Sequence, residues 1–140
     1  MLSFDTRCLF YNNTVYNERG AAISYEAASD HAGFEFYNNI FVGKDSLMIG
    51  KSTHTRFLGN NWYSLVYGFK NEGYQNFSQW AKEKNRELLN EKIVGTNKEP
   101  VFKMPGLAAI TDPRKLKTFF NYQTKQSSTG INLARQFNIN

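Results

Sequence analysis

The chain has 140 residues, a formal charge of +5 and 41% hydrophobic residues, enough for one domain with a buried core and too little for a multidomain machine. No apolar run approaches the roughly 18 residues of a membrane span, and Met1-Leu2-Ser3-Phe4-Asp5 lacks the regions of a signal peptide. A soluble chain is expected, and the single cysteine, Cys8, excludes an internal disulfide framework and a cysteine-rich zinc site.

Twelve Phe, eight Tyr and only three Pro, with abundant Asn, favour strands joined by Asn-rich turns over a helical bundle. In chain order the first signal is a repeat. Phe10-Tyr11-Asn12-Asn13 recurs as Phe36-Tyr37-Asn38-Asn39 and, more loosely, as Leu58-Gly59-Asn60-Asn61, at steps of 26 and 22 residues. Each copy lies between short alternating runs, spanning 8–16, 34–42 and 56–63, which read as strand, tight corner, strand. A third strand per repeat is expected at 21–25, 46–49 and 65–67. Three short strands in some 24 residues describe one coil of a solenoid.

Asn tolerates the left-handed backbone of a sharp corner, and its amide both donates and accepts. Stacked coils bring equivalent side chains roughly 4.8 Å apart, so Asn12, Asn38 and Asn60 are expected to form an interior hydrogen-bonded column. With the first Asn of each pair inward, alternation buries Cys8, Phe10, Phe34, Phe36 and Leu58, and stacks Val15, Phe41 and Tyr63 beyond the corner. Arg56 then falls at the inward position of Cys8 and Phe34. A buried unpaired guanidinium is very costly, so the third coil is expected to bend or shift frame there, or to supply a partner.

The second half differs in kind. Residues 75–140 carry eleven Lys/Arg against five Asp/Glu, whereas residues 1–74 carry six against seven. The alternating signs of Lys82-Glu83-Lys84-Asn85-Arg86-Glu87 read as a solvated helix face and not as a nucleic-acid patch. A helix is predicted from an N-cap at Asn76 or Ser78 through Leu88-Leu89. Gly95 ends that segment, an extended one starts at Glu99-Pro100-Val101-Phe102, and turns follow at Met104-Pro105-Gly106 and Thr111-Asp112-Pro113. Residues 116–122 supply another apolar stretch. The expected division is therefore parallel β-helix coils over 1–74 and a helix-containing capping segment over 75–140 of the same domain.

These elements resemble the C-terminal portion of right-handed parallel β-helix proteins of the pectate-lyase-like group. The similarity runs through the strand-Asn-Asn-strand coils ending in Gly59-Asn60-Asn61-Trp62-Tyr63, the Phe77 to Trp80 helix followed by Glu99-Pro100-Val101-Phe102, and the closing stretch from Tyr122-Gln123 through Ser127-Ser128 to Gly130-Ile131-Asn132. Glu99 stands where the family's pattern has Asp, and Thr129 where it has Pro. The resemblance implies an all-β right-handed parallel β-helix of about three coils with an α-containing irregular cap. It also implies a secreted, extracellular or periplasmic protein that supports or binds an extended polysaccharide, an acidic one among the options.

Candidate ligand-binding residues are Glu26, Lys51, His54 and Arg56, placed near one sheet face with Ser24 and Met48. Catalysis is the alternative expectation. β-Elimination needs a cation and a base, for which Lys51, His54 and Arg56 are the available types, and hydrolysis needs two carboxylates, for which Glu26 with Asp30 or Asp45 is the local supply. No spacing assigns a catalytic residue. His31 and His54 make no metal motif, and no cofactor, nucleic-acid or membrane motif is present. A third expectation is a structural solenoid that self-associates through an open first coil or lacks coils on its amino side.

Overall fold

The computed structural model describes residues 8–25, 33–50, 54–103, 114, 120 and 122–125. Three successive stretches supply matching strands: β1 (Cys8–Tyr11), β2 (Thr14–Asn17) and β3 (Ile23–Ser24); β4 (Phe34–Tyr37), β5 (Ile40–Gly43) and β6 (Met48–Ile49); β7 (Arg56–Leu58) and β8 (Asn61–Ser64). Each strand pairs in parallel with its counterpart, giving sheets ordered β1-β4-β7, β2-β5-β8 and β3-β6. Parallel neighbours need a long connection, and here the rest of each repeat supplies it. The described residues are thus mostly β, in parallel sheets, with one helix.

Register corrects the expected column by one residue. Ile40 pairs with Asn61 and Tyr37 with Leu58, so Asn39 lies over Asn60 and Asn38 over Gly59. Asn12, Asn38 and Gly59 have φ of 57°, 54° and 72°. These first residues make the left-handed corner, and the second residue of the pair points inward. The column is Asn13, Asn39 and Asn60, in place of Asn12, Asn38 and Asn60. Cys8 to Phe34 is a step of 26 residues and Glu35 to Arg56 one of 21. Phe57-Leu58-Gly59-Asn60 is therefore the true third copy, with Gly able to take the corner that Asn takes above.

The same shift removes the Arg56 problem. Arg56 pairs with Glu35, an outward position, and is exposed. The inward row is Phe10, Phe36 and Phe57, with ring centroids 4.8 and 5.1 Å apart and nearly parallel planes. Beyond the corner the row is Val15, Phe41 and Trp62, with Trp62 where Tyr63 was expected. Phe41 and Trp62 lie 4.6 Å apart, and such pairs contribute about 0.5–1.5 kcal/mol beyond area burial. The third strands are shorter than predicted. Met48 is buried, not on the outer face, and residues 65–67 form an exposed turn between Ser64 and Gly68. Their place under β6 is taken by Lys70 and Asn71, whose carbonyl and Oδ1 accept from the N–H groups of Leu47 and Met48 at 2.9 and 3.0 Å.

Helix α1 (Phe77–Glu83) starts at Asn76, whose side chain accepts from Gln79 N–H, and buries Trp80 and Ala81 against the last rung. Trp80 meets Trp62 edge-on at 5.4 Å, and its indole N–H donates to Glu72 at 2.7 Å. The helix stops short of the predicted Leu88-Leu89. Asn85, Glu87, Asn90 and Glu91 all have positive φ, which no helix accommodates. Leu88–Leu89 instead forms β9, antiparallel to β10 (Lys92–Ile93) across the Asn90-Glu91 corner, where two consecutive positive φ values suit a tight hairpin. Val94 then packs on Tyr37 and Leu58, the outward side chains of β4 and β7.

Candidate functional site

The inward amides form one directed chain of hydrogen bonds. Asn13 N–H and Nδ2 donate to Asn39 Oδ1 at 2.9 and 3.1 Å, and Asn39 N–H and Nδ2 donate to Asn60 Oδ1 at 2.9 and 3.0 Å. Each lower amide also donates back to the repeat above, Asn39 to the Phe10 carbonyl and Asn60 to that of Phe36, both at 2.9 Å. Asn13 is exposed, whereas the Asn39 and Asn60 amides are buried with every donor and acceptor satisfied, and such a network fixes register. Sliding a strand by one residue would leave each rung unpaired.

The last acceptor is not an asparagine. Asn60 N–H and Nδ2 donate to Glu87 Oε2 and Oε1 at 3.1 and 2.7 Å, and Trp62 Nε1 donates to Oε1 at 2.8 Å. Glu87 is fully buried, and burial raises its carboxyl to about 7 in spite of the Asn60, Trp62 and Gly59 donors. Thr96 pairs with Asn61, so Gly95 occupies the fourth rung beneath Asn60. A Cβ there would lie 2.5 Å from Glu87 Oε2. The glycine leaves the rung empty, and a carboxylate from a different part of the chain fills it. Neither was legible in the sequence, where Glu87 ended an alternating charge run and Gly95 read as a stop signal.

Of the candidate ligand-binding residues, Glu26 and Lys51 lie outside the described residues, as do Asp30 and His31. His54 and Arg56 are exposed, two positions apart at the start of β7. The Arg56 guanidinium stands 6.0 Å from the centre of the Tyr37 ring, and Tyr37 O–H donates to Glu35. Arg56 also lines a polar hollow of about 460 Å³ with Leu58, Lys84, Asn85, Arg86 and Leu88. Arg86, which the sequence reading assigned to a solvated face, is half-buried, donates through Nη1 to the Thr55 carbonyl and covers the Phe57 ring at 5.4 Å. Burial lowers its pKa, opposed by Glu72 and Tyr25. Lys84 Nζ lies 5.8 Å from the Tyr74 ring. Tyr74 O–H and Gln79 Nε2 both donate to Glu83 at 2.9 Å, holding that carboxyl below its usual range.

The hollow brings Arg56 together with two cations the reading did not select. It does not bring together two carboxylates, and Asp45 is an exposed residue of the second repeat. Among the described residues no group of three or more His, Cys, Asp or Glu is placed to hold a metal ion, and no helix is long and apolar enough to cross a membrane.

The fold and this geometry define a protein of stacked parallel strands closed at one end by a helix and a buried carboxylate. No protein-family model, curated protein or solved structure matches the chain.

Proposed function

We propose that this chain is the C-terminal end of a right-handed parallel β-helix and that it supports or binds an extended, acidic polysaccharide. The observation that carries the reading is the contrast between the two ends of one in-register stack. At the β7 and β8 end, Glu87, Gly95 and Trp80 terminate the amide column and the aromatic rows; at the β1 and β2 end both run to the surface. Parallel strands in register present a regular outer surface at about 4.8 Å per strand. The Arg56, Lys84 and Arg86 side chains around one hollow at its edge place positive charge beside that surface. Cations around a polar hollow suit a carboxylate-bearing sugar, whose substituent is anionic.

The test is binding to polygalacturonate, alginate and heparin-like chains, with neutral dextran as the control, by calorimetry at two salt concentrations. Retention of the acidic polymers at low salt, weakened about tenfold by Arg56→Ala, is the expected result. Equal affinity for dextran, or binding indifferent to Arg56→Ala, refutes the assignment. Release of unsaturated or reducing sugars in the same mixtures tests the catalytic alternative.

A further inference from the structure

The three cations around the hollow beside β7 are not equivalent. Arg56 and Lys84 are exposed, and an exposed cation is solvated and screened, so that it contributes little to any one contact. Arg86 is half-buried, and its backbone is clamped on both sides. Its N–H donates to the Ala81 carbonyl at 2.8 Å, and the next N–H, that of Glu87, donates to the Phe57 carbonyl at 3.0 Å. Asn85, with φ 51°, makes the turn that leads the chain off α1 to this point, and the Glu87 side chain anchors it from the interior through Asn60 and Trp62. The guanidinium is fixed as well. Its Nη1 donates to the Thr55 carbonyl, and the group lies 5.4 Å from the centre of the Phe57 ring. Burial disfavours its charge; the Glu72 carboxylate, held by Trp80 Nε1 at 2.7 Å, favours it. Among the described residues that line the hollow there is no carboxylate.

We infer that this hollow binds one hexuronate residue, with its carboxylate on the Arg86 guanidinium and with Arg56 and Lys84 drawing the acid in from solvent. The inference rests on the acidic-polysaccharide reading and narrows it to a single sugar: a free uronate binds, and its ester does not. Size supports one sugar over a length of chain, because about 460 Å³ falls in the lower part of the roughly 300–1,000 Å³ of small-ligand sites. Chemistry supports a carboxylate, whose two oxygens match the guanidinium fork. A guanidinium already held in place by Thr55 and Phe57 also loses little freedom when the ligand arrives. An Arg86 that served only to hold the segment after α1 against β7 would be indifferent to such a ligand.

The experiment follows the Arg86 Nε–H and the backbone N–H signals of residues 55 and 86 by NMR, in the full chain, during titration with D-galacturonate. Its methyl ester, galactose and sodium sulfate are the controls, and Arg86→Lys is titrated in parallel through the backbone signals. The expected result is a saturable shift with galacturonate in the millimolar range and none with the ester or galactose. Affinity is expected to fall about tenfold in Arg86→Lys, which keeps the charge and loses the fork. A shift of equal size with sulfate or the ester overturns the uronate assignment, and undiminished affinity of a folded Arg86→Lys overturns the role of the guanidinium. Unmoved Arg86 signals in a chain that still binds polygalacturonate, more weakly after Arg56→Ala, overturn this inference and leave the polysaccharide reading standing. Failure of galacturonate and of every acidic polymer to bind overturns both. The wild-type titration is decisive whether or not Arg86→Lys folds.

Discussion

Glu87 is the residue whose perturbation most directly probes the closed end of the stack. Its carboxyl is raised from 4.5 to about 7 because burial outweighs the donors aimed at it. The neutral form is thus favoured in the folded chain relative to the unfolded one. Below about pH 4.5 both states hold the proton and the group contributes no pH dependence. Between about 4.5 and 7 the unfolded chain has released its proton while the folded chain keeps it. Stability falls through this window by about 1.4 kcal/mol per pH unit, roughly 3 kcal/mol in all, and levels off above 7. Glu87→Gln removes that dependence. It also turns one acceptor oxygen into an NH2 group facing either Trp62 Nε1 and Asn60 Nδ2 or the Asn60 N–H, which costs about 1–3 kcal/mol at low pH. Urea denaturation of both proteins from pH 4 to pH 8 gives the comparison. The wild-type advantage is expected to be largest near pH 4 to 5 and to shrink or reverse by pH 8. A difference between the two that stays flat across the range refutes the reasoning.

Three other expectations follow from the same geometry. Gly95→Ala places a Cβ 2.5 Å from Glu87 Oε2 and is expected to lower unfolding free energy by about 1–3 kcal/mol; a neutral result in chemical denaturation would mean the carboxylate moves aside freely. Asn39→Leu strands the donors of Asn13 and removes the Nδ2 bonds to Asn60 and the Phe10 carbonyl while the backbone N–H to Asn60 stays, so a loss of about 3 kcal/mol is expected, whereas Asn12→Gly, at the exposed corner with φ 57°, is expected to stay within about 0.5 kcal/mol. Asn38→Val at φ 54° should cost about 1–2 kcal/mol and Asn38→Gly little, read as the difference in denaturation midpoint.

The repeated Asn pair was legible because corners and amide rungs each demand a particular residue type at a fixed spacing. The repeated tetrapeptide and its flanking pattern favoured parallel stacking over unrelated Asn turns in a sandwich, and the strands of the first two repeats lie within the runs read for them. Which member of the pair turns the corner was not legible. The choice depends on backbone φ, and Asn satisfies both roles, so the two assignments differ by one residue with no compositional sign. The third repeat held the missing clue in Gly59, which suits a left-handed corner and has no amide to place in a column. Arg56 illustrates the consequence. One residue of register converts a costly buried guanidinium into an exposed side chain beside Tyr37 and Glu35.

The sequence by itself determined the short-range choices: short strands on either side of Asn corners, an aromatic interior, and a helix opening at Asn76 or Ser78. These depend on side-chain pattern and local backbone preference, which neighbours in the chain carry. Tertiary structure alone decided how the stack ends. Glu87 meets Asn60 across 27 residues and Trp62 across 25, and Gly95 makes room for it. A carboxylate becomes the terminal acceptor only where two distant segments exclude water together, and no local pattern records that meeting.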